Sequence, residues 1–342
     1  MRKGFGIIGL GTWGMTHARG YVSHPSADLI AVCDPIEERA DAVAESCPKC
    51  SIYTDFQEIL ADDRIDAVSI ATPDHIRENI FCAAAEAGKH ILVEKPLAVS
   101  VDECERMIEA AASAGIKVMV DFHNRWNPPF VHAKHSLADG ELGDLVAATI
   151  RLNDTVFVPT EMLGWSAQST AAWFLGAHCV DLARWLFEDE VVAVSAVTHT
   201  GVLEALGRST PDLFFYHLTF SRGGVAAIEN CWILSERMPA TVEFKSELIG
   251  SKGTICIDVT HHRAIEKYTQ TAGSYPDLFA FPKTNGGSYG FAIASIHHFV
   301  DCVVADKDPS PTIMDGLEVT RILEAVHRSA ASDKRVRLSP GS

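Results

Sequence analysis

Gly9-Leu10-Gly11-Thr12-Trp13-Gly14 follows a short apolar run and opens a helical stretch. That spacing suits phosphate chemistry. The first glycine permits a tight turn, the second lets backbone approach a pyrophosphate, and the third lets helix and strand pack closely. The helix start at Thr12 and Trp13 offers free N–H groups and a positive dipole end to an anion. Asp34 follows Gly14 by twenty residues. A carboxylate there accepts hydrogen bonds from the adenosine ribose hydroxyls and repels a 2′-phosphate. The expected cofactor is therefore NAD in preference to NADP. Asp34 also precedes Pro35, so it suits a helix cap, and the two roles are compatible. Arg39 lies one turn on and would tolerate a phosphate.

These residues need a scaffold to position them. Val- and Ile-rich runs at 4–10, 29–33, 66–71, 90–93 and 116–120 alternate with helical stretches at 12–23, 35–46, 74–87 and 101–114. The fold class expected is α/β, with an N-terminal doubly wound parallel sheet of Rossmann type. Gly88 and Gly115 fall where helix C-caps belong. Polar clusters recur at the strand ends: the glycine loop, Asp34, Thr72-Pro73-Asp74, Glu94-Lys95-Pro96 and 121–125. All would gather at the sheet edge where doubly wound folds bind ligands.

The pattern changes after Asp121. An Asn/Pro-rich loop leads to a helix at 130–137, a strand at 145–152, an irregular stretch at 153–170 and a helix at 171–187. Strands then follow at 191–199, 213–220, 225–233, 241–248 and 254–259, mostly without helices between them. A C-terminal α/β domain on a largely antiparallel open sheet is expected. Helices at 289–305 and 315–332 close the chain, after a long loop at 273–288. The domains expected are 1–122 and 123–342, with the last helix free to pack back on the first.

The 342 residues are 47% hydrophobic, which suits a folded chain with a large core. Asp and Glu number 45 against 29 Lys and Arg, a net charge of −16. That balance opposes a nucleic-acid partner and an anionic membrane surface. No run approaches a membrane span, and the first residues read as a strand rather than a secretory signal. The nine cysteines include Cys33, Cys82, Cys231 and Cys256 in apolar settings. Reduced, buried thiols and a cytoplasmic location are the expectation. Cys47-Pro-Lys-Cys50 lacks the further ligands of a zinc site and closes a helix instead of opening one. The pairs His261-His262 and His297-His298 point apart on any regular element. No metal site is expected.

The chain resembles the Gfo/Idh/MocA family of glucose–fructose oxidoreductase and inositol dehydrogenase relatives. The residues that carry this are Gly9, Gly11 and Gly14, Ala71-Thr72-Pro73, Gly88-Lys89-His90 leading into Glu94-Lys95-Pro96, and Gly176-x-His178-x-x-Asp181-Leu-x-Arg184-Trp185-Leu186. The resemblance implies a nicotinamide-dependent oxidoreductase acting at a sugar, polyol or cyclitol carbon. It also implies a homodimer or homotetramer formed through the C-terminal sheet. Some relatives are catalytically silent NAD-binding sensors, which is the alternative. The chain departs from the family pattern twice. Arg77 stands where a His is common, and Phe174 stands where inositol dehydrogenase-like members carry Asp.

Hydride exchange at a carbinol carbon needs a group that moves the hydroxyl proton. Lys95 is the first candidate, provided that desolvation or a nearby cation lowers its pKa. Glu94, one residue earlier on an extended chain, faces away from Lys95. His178 lies in an apolar helix, and Asp181 shares its face three residues on. That pairing suits a proton relay or a satisfied core imidazole, and the resemblance favours the relay. Asp181 is then a supporting residue or a partner of Arg184. The cofactor set is Gly9, Gly11, Thr12, Trp13, Gly14, Asp34, Thr72, Pro73, His75, Glu94 and Lys95. The substrate set is Asn124, Arg125, Trp165, Phe174 and Asp181. Aromatic rings suit the C–H face of a sugar, although helix core is the expected place for Trp173.

Overall fold

The computed structural model describes residues 2–36, 38, 39, 43, 47–260, 265–271, 273–282 and 288–338. Much of the expected 35–46 helix, the His261-His262 pair and part of the expected 273–288 loop lie outside the described residues.

Six parallel strands form the first sheet: β1 (Lys3–Ile8), β2 (Ala27–Cys33), β3 (Ser51–Tyr53), β4 (Ala67–Ile70), β5 (His90–Val93) and β6 (Val118–Val120), in the order β3-β2-β1-β4-β5-β6. This is the doubly wound order, and its switch point lies between β1 and β4. The strands are short and apolar because both faces are covered: Ile7, Val32, Val68 and Leu92 are fully buried. β3 was not expected. Three residues are too few for a periodic signal. The expected 74–87 helix is a 3₁₀ turn at Asp74–Ile76 followed by a helix at Arg77–Glu86.

The chain forms two compact units. The first joins Met1–Asn127 to Leu278–Thr320. The sequence expectation placed 123–127 and 278–320 in the second domain. The physical reason for the difference is the helix Phe291–Ala305, which carries Ile293, Ile296, Phe299 and Val300 into the core of the first sheet. There the ring of Phe5 stacks on Tyr21 at 4.6 Å and meets Phe299 edge-on at 6.3 Å.

The second unit joins Pro128–Asp277 to Arg321–Ser342. Its sheet holds β7 (Leu145–Asp154), β8 (Val191–His199), β9 (Leu213–Phe220), β10 (Val225–Cys231), β11 (Val242–Gly250), β12 (Thr254–Asp258) and β15 (Val336–Arg337), in the order β12-β11-β7-β10-β9-β8-β15. A two-stranded ribbon, β13 (Lys267–Tyr268) with β14 (Gly273–Ser274), stands apart from it. The sheet is mixed. The meander β8-β9-β10 brings β10 back beside β7 in parallel, while the other pairs are antiparallel. One face alternates buried Ile150, Leu152, Leu218 and Ile228, and the helix Ala177–Phe187 packs on it. That helix is preceded by a π-helical turn at Ala172–Gly176, inside the single helix expected at 171–187.

Two cysteine expectations need correction. Cys47 and Cys50 are joined as a disulfide, so not all thiols are reduced. Their turn brings the Cα atoms to 5.6 Å, within bridging distance. Cys256 is exposed, because on the edge strand β12 alternate residues face outward. Among the described residues no helix is long and apolar enough to cross a membrane.

Candidate active site

At the switch point of the first sheet the three glycines do different things. Gly9 has φ +94°, and a Cβ on it would meet the Ala71 carbonyl oxygen at 2.6 Å. A Cβ on Gly14 would meet the Gly9 carbonyl oxygen at 1.9 Å. A Cβ on Gly11 would meet nothing within 4 Å. Two glycines therefore close the turn, and the middle one leaves space in front of the helix Thr12–Ser23. No acidic side chain occupies that helix's first turn. An open cradle at an uncapped helix N-terminus fits a pyrophosphate. Thr12 is exposed, and Trp13 stacks on His123 at 4.4 Å.

Asp34 is buried at the end of β2. Its carboxylate accepts from the Leu10 N–H at 2.7 Å and from the Ile36 N–H at 2.9 Å, with Arg39 Nη1 3.6 Å away. The expected capping role thus takes the form of a local turn plus a tie to the glycine loop. Each oxygen keeps a further lone pair for a ribose hydroxyl. After β4, Thr72 and Pro73 are half-buried and His75 is exposed, its ring 3.7 Å from Asp74. Arg77 is buried. It donates to the Thr72 carbonyl at 2.7 Å and to the Pro96 carbonyl, so it clasps two strand-end turns together. Burial pushes its guanidinium pKa down.

Lys95 is buried at the end of β5 and is joined to Pro96 by a cis peptide bond. The Glu94 carboxylate reaches the His17 ring. Its Oε1 lies 3.2 Å from His17 Nε2, while its Oε2 accepts the Lys95 backbone N–H at 3.2 Å. His17 was missed in the sequence. Its Nδ1 is 2.8 Å from Ser69 Oγ, which is 2.5 Å from the Tyr21 hydroxyl. Its Nε2 is also 3.5 Å from Asp121 Oδ2, and Asp121 Oδ1 accepts from Ser295 Oγ at 2.7 Å. Burial alone would lower the His17 pKa. Hydrogen bonds and charge from Asp121 and Glu94 outweigh it and push the pKa up to about 9. Asp121 answers in kind: burial would raise it, but His17 and His123 hold it below the usual carboxylate range. His123 itself is pushed down by burial. The available signal was polar residues, His17 and Ser69 within elements and Glu94 and Asp121 just past the apolar strands β5 and β6.

Asn124 and Arg125 sit on a 3₁₀ turn at His123–Trp126. The Asn124 side-chain oxygen accepts from Asn127 Nδ2 at 3.2 Å, and Arg125 is paired with Asp315 at 3.1 Å.

The second unit carries the other candidates. His178 and Asp181 are buried on the helix Ala177–Phe187, and Arg184 on the same helix pairs with Glu190 at 2.8 Å. A Cβ on Gly176 would meet the Tyr216 hydroxyl at 2.7 Å and Asn230 Oδ1 at 2.8 Å, so the helix start lies tight on β9 and β10. One turn before His178, Phe174 is half-buried between Trp165 at 6.1 Å and Trp232 at 5.9 Å. Trp173 is a core residue stacked on His327 at 4.8 Å.

Comparison with known proteins follows the same division. A model described as an oxidoreductase family with an NAD-binding Rossmann fold matches residues 3–122. Its companion, the C-terminal alpha/beta domain of that family, matches residues 134–338. The scyllo-inositol 2-dehydrogenase (NAD(+)) of Bacillus subtilis (strain 168) is 29% identical over 315 residues, covering 90% of this chain and 88% of that protein. The levoglucosan dehydrogenase of Pseudarthrobacter phenanthrenivorans is 27% identical over 381 residues, covering 97% of both. The crystal structure of GenD2 from gentamicin A biosynthesis, in complex with NAD, superposes with a TM-score of 0.85 at 26% identity, covering 99% of this chain and 97% of that one.

Proposed function

This chain belongs to the Gfo/Idh/MocA oxidoreductase family, and from that premise we propose that it oxidises or reduces a carbinol/carbonyl carbon of a sugar, polyol, cyclitol or glycoside with NAD. The observation that carries the reading is the sheet edge itself. An open glycine turn at an uncapped helix start and a buried lysine, Lys95, stand at the C-terminal ends of strands of one parallel sheet.

The glycine loop with Thr12 and Trp13 would hold the pyrophosphate, and Asp34 the adenosine ribose. Thr72, Pro73 and His75 would line the cofactor, and Glu94 would act behind Lys95. The bound nicotinamide supplies the hydride acceptor or donor. Lys95 takes the hydroxyl proton during oxidation and returns it during reduction, and His178, supported by Asp181, relays it. Asn124 and Arg125 would bind substrate hydroxyls. Trp165 and Phe174 would present an apolar wall to the C–H face of the ring. NAD is preferred because a 2′-phosphate would meet the Asp34 charge.

The chain would assemble as a homodimer or homotetramer through the outer face of the second sheet. Val197, Phe215 and Val225 stand exposed there. The test of the activity is NAD reduction over a panel of cyclitols, anhydrosugars, deoxy sugars and glycosides, with Lys95→Ala as control. Turnover that needs Lys95 supports the reading. NAD binding without turnover on any of the panel favours a silent sensor.

A further inference from the structure

A buried polar network lies behind the sheet edge of the first unit. His17 lies fully buried on the helix that opens at the glycine loop. Its partners come from several separate parts of the chain. They are Ser69 on β4, Glu94 after β5, Asp121 after β6 and, through Asp121, Ser295 on the helix Phe291–Ala305. Tyr21, one turn on, closes the set through Ser69. The titratable groups that face His17 are thus Glu94, Asp121 and Tyr21, with His123 next to Asp121 at 4.0 Å.

Glu94 is the link to chemistry. One of its oxygens faces the His17 ring, and the other accepts the backbone N–H of Lys95. A carboxylate held on both sides cannot rotate without breaking a buried charge-assisted contact, which is expensive in a dry interior. The turn that presents Lys95 is fixed from behind by Glu94 and from the side by the Arg77 clasp on the Pro96 carbonyl.

We infer that His17 is a positioning residue for Lys95: an imidazolium clamped between Glu94 and Asp121 that sets, through Glu94, the backbone from which the lysine acts. The inference rests on the reading of Lys95 as the proton-transfer group. The ring nitrogen and the two carboxylates lie within 4.8 Å of one another, a spacing that would also suit a cation. A proton on His17 does the same electrostatic work, and the direction of its pKa agrees.

Three measurements on the full-length protein test this. The first is the His17 ring signal, followed by NMR against pH and assigned by its loss in His17→Gln. Imidazolium shifts persisting through pH 7.5 are expected. A midpoint near the ordinary 6.5 would overturn the inference. So would a stoichiometric divalent metal in the purified protein, which would replace the proton. The second is kinetic. His17→Gln should lower kcat about tenfold to a hundredfold, while the NAD Kd and the substrate KM change by no more than about threefold. Unchanged kcat in a folded His17→Gln protein sinks the inference. Should His17→Gln not fold, Glu94→Gln, which keeps the shape, must show the same split between kcat and KM. The third is the Lys95→Ala control. If Lys95→Ala keeps its kcat, the proton-transfer reading itself has failed. If only His17→Gln does, the clamp alone has failed.

Discussion

Gly14 stands directly against Gly9: a Cβ on the one would lie 1.9 Å from the carbonyl oxygen of the other. No side-chain movement can relieve a clash with backbone. Gly14→Ala should therefore destabilise the fold by about 1–3 kcal/mol or more, as overpacking does. Gly11→Ala should differ in kind. Its Cβ would enter open space, so the thermal midpoint should hold while NAD affinity falls. Calorimetry for both variants, with Tm from the same samples, checks the pair. A Gly11→Ala protein that binds NAD normally would argue against a pyrophosphate at that turn.

Asp34 should set cofactor preference. NAD is expected to bind more tightly than NADP by about tenfold or more, roughly 1.4 kcal/mol, because the 2′-phosphate would face a carboxylate. Asp34→Ala should narrow that gap. It should also weaken NAD binding, since the carboxylate holds the Leu10 and Ile36 amides. Parallel titrations of the two cofactors read both effects, and an equal preference in the natural protein would remove Asp34 from its role.

Lys95→Ala is expected to lower kcat by about a hundredfold to ten-thousandfold, with NAD affinity little changed. His178→Ala should cost as much if the two residues relay one proton, and less if Lys95 acts alone. Single-turnover rates separate these outcomes.

Phe174 predicts specificity. The ring sits half-buried between Trp165 and Trp232, where it can neither accept a hydroxyl hydrogen bond nor orient His178. A substrate with hydroxyls all round would leave one unpaired, at about 1–3 kcal/mol. myo-Inositol should therefore be used about ten- to a hundredfold less efficiently than a glycoside or deoxy sugar. Phe174→Asp should shrink that ratio. Efficient oxidation of myo-inositol by the natural protein would refute the assignment.

Stability should fall on the alkaline side. The His17 pKa rises on folding, to about 9 from 6.5. Its contribution is thus complete below the unfolded value and is lost as pH climbs through about 9. It is on the order of 3 kcal/mol. Tm measured from pH 7 to pH 10 should decline in the natural protein and decline less in His17→Gln. Equal slopes would show that the titration lies elsewhere.

Much of this architecture was legible because it obeys local rules. The helix Thr12–Ser23 and the strand His90–Val93 fall where glycine spacing and apolar runs put them. β3 was hidden because three residues carry no period. The parallel pairing of β10 with β7 was hidden because register across a sheet is decided by packing, not by local pattern. At the proposed site, Gly11 and Lys95 were singled out from glycine spacing and strand-end placement, and both stand at the sheet edge. His17 was not, since its partners lie 52, 77 and 104 residues away in the chain. The Arg77 clasp escaped notice for a similar reason: its target at Pro96 is a carbonyl, which no residue type announces.

The first unit draws its core from both ends of a long interval, because Phe299 and its neighbours pack with Phe5 and Tyr21. A ribosome that has just released Asn127 has therefore not yet delivered the helix that covers that core. The nascent nucleotide-binding sheet must wait, with Phe5 and Tyr21 unshielded, while the whole of 128–277 is synthesised. The first sheet is expected to finish folding only after the helix Phe291–Ala305 has been made, and a chain truncated after residue 127 should aggregate instead of giving a small dinucleotide-binding protein.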